Sequence, residues 1–167
     1  MPSPIEPQTF TFQPSDPIPN HPRWALLLYR RVLKSKTAAE VEALLIGNGW
    51  AGTWRNGIYP YHHYHTTSHE VLVVTSGEGQ VTFGGPQGET FELTVGDVAV
   101  LPAGTGHRCL SASPDFEVVG AYPEGQEDWD LKLGAPSNAD FQRIAELPYP
   151  NSDPIDSYEG PLVRLWC

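Results

Sequence analysis

The sequence has little cysteine and no long apolar run. Its two cysteines, Cys109 and Cys167, lie too far apart for a C-x-x-C metal or redox motif. Residues 1–13 contain neither a basic residue nor the apolar core of a secretory signal, so we expect both thiols to be free. The most apolar stretch, residues 24–29, is far shorter than the about 18 residues that a membrane helix needs. We therefore expect a soluble, cytoplasmic protein with no membrane partner.

Basic residues are also scarce. Lys and Arg number 10 against 20 Asp and Glu, which gives a formal net charge of −10 at pH 7. Proteins that bind nucleic acid neutralise its phosphates with a basic patch, so this composition argues against a nucleic-acid partner. The length of 167 residues suits one domain with a well-buried core.

One helix is indicated near residues 37–47. Thr37 and Glu40 have the spacing of a capping box, in which each side chain hydrogen-bonds the backbone N–H of the other residue. Apolar residues then recur at helical spacing, and glycines follow at the end. A second short helix is expected over 140–147.

The rest of the chain is typical of a β protein. Residues 1–22 contain seven prolines and are expected to be extended, and residues 24–29 read as a buried strand. Further predicted strands are 53–59, 61–66, 70–75, 79–84, 89–94, 98–101, 107–112 and 116–122. Eight short strands separated by turn residues predict a sandwich or barrel. We therefore divide the chain into an N-terminal arm and strand that pack on the barrel, residues 1–36, and a barrel domain, residues 37–167.

Four of the six histidines lie within residues 62–69. Residues i and i+2 of a strand face the same side, so His63 and His65 can share one cation. Glu70 has the opposite parity, and a turn or bulge over residues 66–68 would let it start a second strand with its side chain on the same site. Further along, a predicted strand ends in a turn before His107, which reaches this site if its strand pairs beside His63.

These two segments resemble the motifs of the cupins. The first cupin motif, G-x5-H-x-H-x(3,4)-E-x6-G, is matched over residues 57–77 by Gly57, His63, His65, Glu70 and Gly77. The second, G-x5-P-x-G-x2-H-x3-N, is matched over residues 96–111 by Gly96, Pro102, Gly104 and His107, with Ser111 in place of the final Asn. That Asn is not a metal ligand in the family. Over its whole length the chain is similar to the YjlB-type single-domain cupins.

The resemblance implies an all-β double-stranded β-helix, the jelly-roll barrel of cupins, with one divalent metal ion inside. Its ligands would be His63, His65, Glu70 and His107. Iron, manganese or nickel would suit this mixed nitrogen and oxygen set best, with zinc or cobalt as alternatives.

Cupins with this ligand set include dioxygenases, oxalate-degrading enzymes and isomerases. The resemblance therefore implies a metal-dependent enzyme acting on a small organic molecule, with a dioxygenase-like oxidoreductase preferred. Two alternatives stay open: a non-catalytic module that binds a small molecule or metal, and an isomerase or lyase. Cupin arms often pair across a dimer, and the strand at 24–29 has no obvious partner, so we also expect a homodimer.

Three further residues are candidates for the substrate cavity. Tyr61 shares parity with the strand histidines, Cys109 shares parity with His107, and Arg55 lies just before the first motif. Each also has a simpler interpretation: Tyr61 as a core tyrosine, Cys109 as a small buried thiol and Arg55 as part of a surface ion pair. His69 is expected to contact neighbouring backbone or the partner sheet, and the acidic run 124–130 is expected to be a solvated loop.

Overall fold

The computed structural model describes residues 5–166. Residues 1–4 of the predicted arm and the predicted free thiol of Cys167 lie outside the described residues. The strands are β1 (Gln8–Phe10), β2 (Leu26–Tyr29), β3 (Trp50–Asn56), β4 (Glu70–Ser76), β5 (Glu78–Phe83), β6 (Glu89–Thr94), β7 (Val98–Leu101), β8 (His107–Ala112) and β9 (Glu117–Pro123). The helices are α1 (Ala38–Gly47), α2 (Asn138–Glu146) and α3 (Pro161–Leu165).

The strands form two antiparallel sheets, which confirms the predicted all-β fold. Six strands pair in the order β1-β2-β7-β4-β9-β3, and three pair in the order β6-β5-β8. Most predicted strands form within a few residues of their expected bounds, but the strand predicted over 61–66 does not. That segment contributes only isolated bridges, at His63 and Tyr64.

Alternation along the strands gives the six-stranded sheet two buried faces. On β4, Leu72 and Val74 point toward the three-stranded sheet, whereas Val71 and Val73 point to the outer face. All four side chains are buried. Burial on both faces explains why β2, β4 and β7 read as continuous apolar runs rather than as alternating strands.

Helix α1 and the C-terminal segment cover the outer face. The predicted capping box is present, with the Glu40 N–H donating to Thr37 Oγ1 at 3.2 Å and the Thr37 N–H donating to Glu40 Oε1 at 3.0 Å. Further along, the Tyr29 hydroxyl donates to the buried carboxylate of Asp153, which also accepts from the Leu162 N–H at 3.1 Å. These contacts hold residues 152–166 against the sheet. The helix predicted over 140–147 is confirmed as α2, whereas α3 was not predicted.

The apolar strand that lacked an obvious partner has one on each side within the chain. Strand β2 pairs with β1 and with β7, where Leu28 lies opposite Ala99. Its apolar character therefore reflects its place inside the sheet, and the homodimer stays a prediction. In the described part of the chain no helix is long and apolar enough to cross a membrane.

Candidate metal centre

His63 and His107 are brought together by their own backbones. The His63 N–H donates to the His107 carbonyl at 3.2 Å, and the His107 N–H donates to the His63 carbonyl at 3.0 Å. Two residues that exchange both hydrogen bonds lie directly opposite, with their side chains on the same face. Their ring centroids are 3.8 Å apart. The predicted approach of these two imidazoles is confirmed.

His65 completes a cluster of three imidazoles. Its ring centroid lies 5.9 Å from that of His63 and 5.3 Å from that of His107. One ring nitrogen from each of the three histidines lies within 4.8 Å of the others, an arrangement that could hold a metal ion. All three side chains are buried.

The hydrogen bonds of the three rings fix which nitrogen faces the centre. In each imidazole Nδ1 bonds a backbone carbonyl, which can only accept, so in the neutral ring Nδ1 carries the proton and Nε2 keeps its lone pair. The pairs are His63 with the Tyr61 carbonyl at 2.9 Å, His107 with the Thr105 carbonyl at 3.2 Å, and His65 with the Asp130 carbonyl. Metal-ligating histidines are oriented in this way.

Glu70 reaches the same centre from the first residue of β4. Its Oε1 lies 3.5 Å from His65 Nε2 and 3.3 Å from His107 Nε2. The side chain is buried, and Oε1 has no hydrogen-bond partner among the described residues. A buried carboxylate oxygen without a donor is costly unless a cation neutralises it.

The electrostatics of the centre follow from burial and mutual proximity. Burial, followed by the neighbouring His107, lowers the pKa of His63 to about 2. Burial opposes ionisation of Glu70, but the imidazoles of His65 and His107 outweigh it, and its pKa falls below the ordinary value. Burial likewise lowers the pKa of His65, but the Glu70 carboxylate raises it more. The centre therefore combines an ionised carboxylate with a neutral imidazole at His63.

These observations test whether the four side chains fit a metal ion. Three imidazole Nε2 atoms, which keep their lone pairs in the neutral rings, and one unpartnered carboxylate oxygen converge in a buried space, while the Nδ1 protons point outward. Nitrogen and oxygen donors of this kind suit a divalent transition metal. The residues therefore fit the group that the sequence motifs imply.

The turn between His65 and Glu70 is held by the acidic loop. The Asp130 carboxylate accepts from the Thr66 N–H at 2.7 Å and from the Thr67 N–H at 3.3 Å. Arg143 on α2 donates to Thr66 Oγ1 at 3.0 Å. The expectation that 124–130 is a solvated loop is therefore wrong at its end, because Asp130 binds the turn and its carbonyl orients His65. This residue was not predicted, since it lies more than sixty positions from His63 and His65.

The presence of glycine at position 104 of the second motif has a steric reason. Its φ is +86°, which a side chain rarely adopts, and a Cβ there would lie 3.0 Å from the Asn20 carbonyl oxygen. The Gly104 N–H donates to the His65 carbonyl at 2.7 Å. This turn therefore packs tightly against the backbone of a candidate ligand.

A cavity of about 350 Å³ opens beside the cluster. The four candidate ligands lie on its wall, together with aromatic and aliphatic side chains that sequence reasoning did not assign to it. These side chains are Trp54, Ile58, Tyr59, Leu72, Tyr122 and Trp129. Tyr122 and Trp129 lie more than fifty positions from His63, His65 and Glu70, and no local spacing signals them.

The predicted cavity residues differ in their outcome. Arg55 lines the cavity and also forms an ion pair with Glu42 at 2.6 Å. Tyr61 is not on the cavity wall in the described structure, because 57–62 is not a strand and the parity argument fails there. Its ring stacks on Tyr59, with 5.1 Å between centroids.

Cys109 does not reach the cavity either. It is buried two residues beyond His107 along β8, opposite Val81 of β5, and is absent from the cavity wall within residues 5–166. Two residues of strand correspond to about 6.6 Å, which moves the thiol away from the centre although its parity is right. Burial raises the pKa of Cys109.

His69 contacts backbone, as expected. Its Nδ1 accepts from the Ala103 N–H at 2.9 Å, and its Nε2 donates to the Pro148 carbonyl at 3.0 Å. The buried ring of Tyr64 also faces away from the centre, with its hydroxyl donating to the Gly134 carbonyl at 2.6 Å.

The family model described as "Cupin domain" matches residues 54–119. A relative named "Uncharacterized protein YjlB", from Bacillus subtilis (strain 168), is 40% identical over 163 residues, covering 96% of this chain and 97% of the relative. The chain belongs to the cupin family. The cupin fold and a three-histidine cluster that could bind a metal are therefore established, whereas the metal and the reaction are not.

Three solved structures are similar to this cupin at low identity and low TM-score. A double-stranded β-helix protein from Klebsiella pneumoniae is 18% identical, over 82% of this chain and 90% of that chain, with a TM-score of 0.38. Acireductone dioxygenase from Bacillus anthracis, with a cadmium ion in its active centre, is 17% identical, over 59% of this chain and 76% of that chain, with a TM-score of 0.39. Salicylate 1,2-dioxygenase from Pseudaminobacter salicylatoxidans is 22% identical, over 48% of this chain and 24% of that chain, with a TM-score of 0.37. The chain spans about a quarter of that last protein's length. These likenesses are too low to assign an activity.

Proposed function

We propose that this cupin is a metal-dependent enzyme that acts on a small organic molecule, with a dioxygenase-like oxidoreductase as the leading reaction class. One divalent ion would be held by His63, His65, Glu70 and His107. The observation that carries this proposal is the buried carboxylate oxygen of Glu70, which lies among imidazole nitrogens whose protons are directed elsewhere.

Three neutral imidazoles and one carboxylate would leave the centre with a net charge near +1. Such a set suits iron, manganese or nickel, with zinc or cobalt as alternatives. When bound, the ion would supply a Lewis acid that binds and polarises an oxygen of the substrate near dioxygen.

The chain's own residues would orient the donors and limit the access of water. The carbonyls of Tyr61, Thr105 and Asp130 hold the rings. Burial, with the Glu70 carboxylate second, raises the pKa of Tyr122, so its hydroxyl stays protonated beside the cavity. There it is placed to donate a hydrogen bond to an anionic oxygen.

A non-catalytic binding module is the second candidate, because two polar side chains on the rest of the cavity wall, Trp54 and Arg55, are already occupied. Trp54 Nε1 donates to the Tyr122 hydroxyl at 2.8 Å, and Arg55 pairs with Glu42. A cavity with few free acids or bases favours holding a ligand over transferring protons. An isomerase or lyase would need such a group.

Elemental analysis of protein purified without added metal tests the proposal, read beside oxygen uptake on a panel of enediols, thiols and carboxylates. We expect about one transition-metal ion per chain, with oxygen consumed on at least one substrate. Tight ligand binding without turnover would favour the binding module. A protein that takes up none of iron, manganese, nickel or zinc would contradict the metal-dependent enzyme, and also a binding module that holds the metal.

We also propose a homodimer in the cytoplasm. The dimer now depends on the family resemblance alone, since β2 is paired within the chain. Light scattering after size-exclusion chromatography should give twice the chain mass of 18.4 kDa. A mass of one chain would rule out the dimer.

A further inference from the structure

The cavity beside the metal centre has one polar end and one apolar wall. The polar end consists of the four candidate ligands. The wall is made of large aromatic and aliphatic side chains, among them Trp54, Ile58, Leu72 and Trp129. A ligand that enters this space therefore meets donors at one end and hydrocarbon along its body.

Three polar groups of the wall already have partners. The indole N–H of Trp54 donates to the Tyr122 hydroxyl at 2.8 Å. At the mouth, Arg55 Nη2 lies 2.6 Å from Glu42 Oε1, and Asn56 Oδ1 accepts from the Gly57 N–H at 2.8 Å. A ligand hydroxyl placed against these three groups would lose water without gaining an equivalent bond, which is costly.

The apolar wall is also fixed in place. Trp54 on β3 lies directly opposite Gly120 on β9, and a Cβ on Gly120 would come within 2.2 Å of the indole. The indole therefore packs directly against the backbone of Gly120, and any larger residue at that position would displace it. The Tyr122 ring is stacked with Trp129 at 6.2 Å between centroids and 22° between planes. A fixed aromatic surface binds flat apolar groups with little ordering cost.

The cavity volume limits the size of the ligand. About 350 Å³ is near the lower end of the range for ligand pockets, about 300–1,000 Å³. At about 30 Å³ for each water displaced, it admits on the order of a dozen non-hydrogen atoms. One substituted ring fits this limit, and a disaccharide or a nucleotide exceeds it.

We propose that the ligand of this cavity is a small organic monoanion with an oxygen head and a flat apolar body no larger than one substituted ring. The head would face the histidines, which rests on the proposed function. The body would lie against Trp54 and Trp129, which rests on the wall alone. Sugars, polyols and dicarboxylates are disfavoured, since the wall is mainly aromatic and aliphatic and offers few partners for a second polar group.

Ligand titrations by NMR on protein loaded with Zn(II), which is diamagnetic and redox-inert, test this proposal. Benzoate should bind at least tenfold more tightly than acetate, because the carboxylate is shared and only the ring differs. Gluconate, whose body carries hydroxyls, should bind no more tightly than acetate. Equal affinities for benzoate and acetate, or a preference for gluconate, would overturn the proposed ligand class.

A metal-free arm separates this inference from the proposed function. Benzyl alcohol should bind metal-free protein at least tenfold more tightly than methanol, since the wall does not depend on the ion. If the protein takes up no Zn(II) but keeps this preference, the metal centre fails and the apolar wall stands. If Zn(II) is bound but both preferences are absent, the ligand class fails and the metal centre stands.

Variants of Trp129 provide the matched control. Trp129→Ala should weaken benzoate binding at least fivefold and leave acetate binding within twofold, while Trp129→Phe should keep benzoate within threefold. Tyr158→Ala, which removes an aromatic ring that is 72% exposed, should change neither affinity. Zinc content is measured in each variant, because the Trp129 ring also lies 5.3 Å from His65. An unchanged benzoate affinity in zinc-loaded Trp129→Ala would contradict the proposal.

Discussion

The two halves of the barrel interior are built from the same strands but differ in chemistry. On β4, Glu70, Leu72 and Val74 face inward in that order, so one strand passes from the candidate metal centre to the apolar core. Glu70 and Val74 are four residues apart, or about 13 Å. Around Val74 the packing is apolar and closed, whereas around Glu70 buried polar atoms surround a cavity.

This difference shows where stability and function reside. The closed half stabilises the fold by burying hydrocarbon, at about 25 cal/mol per Å². The open half holds a buried carboxylate oxygen that has no hydrogen-bond donor among the described residues, which destabilises the fold until a cation binds. Changes in the open half should therefore alter metal binding, and changes in the closed half should alter stability.

The largest expected effect comes from removing one ligand of the open half. His63→Ala should lower metal affinity by more than about a hundredfold, beyond the 10–100-fold typical of outer hydrogen bonds. Metal content is measured by elemental analysis after dialysis. Cys109→Ser is the control, because that thiol is buried off the cavity wall, and its metal content should match the wild type. If His63→Ala retains a full equivalent of tightly bound metal, the ligand assignment is wrong.

The converse change is a substitution in the closed half, which should lower stability. Leu93 on β6 is 2% exposed and packs between the two sheets. Leu93→Ala should lower the free energy of unfolding by about 2–5 kcal/mol, from lost burial and the cavity left behind. Urea unfolding of the metal-free protein measures this. The folded variant should still bind one metal ion per chain, and loss of the metal would show that the halves are not independent.

A buried histidine outside the cavity, His21, sharpens the comparison through the pH dependence of stability. His21 Nδ1 accepts from the N–H groups of Arg23 and Trp24, and burial, followed by the charge of Arg23, lowers its pKa to about 4. Because the unfolded value is 6.5, the unfolded state binds more protons between pH 6.5 and 4, and stability falls as pH drops through that window.

His21→Asn keeps a hydrogen-bond acceptor near the position of Nδ1 and removes the titration. Between pH 7 and 4 the wild type should lose about 2–3 kcal/mol more unfolding free energy than this variant. Urea unfolding at both pH values, on metal-free protein, gives the difference. Equal losses would show that His21 is not a neutral buried imidazole.

The smallest effect is expected from the support of His65. Asp130→Ala removes the carboxylate that holds the Thr66–Thr67 turn and loosens the carbonyl that orients the His65 ring. Metal affinity should fall about 10–100-fold. Isothermal titration with Zn(II) measures it, with Asp128→Ala as the control on the same loop. An unaffected Asp130→Ala variant would mean that His65 is held by other contacts.

The sequence was informative where local spacing determines geometry. The capping box of Thr37 and Glu40 predicted α1, and strand parity together with the motif spacings predicted the convergence of the histidines and Glu70. Parity failed at Tyr61, because the chain there is not a strand. It also misplaced Cys109, since parity gives the direction of a side chain but not its distance along the strand.

Contacts between distant segments could not be predicted. Asp130 reaches the site because the loop after β9 folds over it, and Tyr122 because β9 pairs with β4. Trp54 faces the cavity because β3 pairs with β9 opposite Gly120. The strand pairing of a barrel joins segments far apart in the chain, and a single sequence does not specify the register.

The most direct test of the account is X-ray diffraction from crystals grown with Mn(II), recorded where manganese scatters anomalously. We predict one strong anomalous peak within coordination distance, about 2.0–2.3 Å, of Nε2 of His63, His65 and His107 and of a Glu70 carboxylate oxygen. Rings that point apart, or a peak only at other residues, would contradict the account.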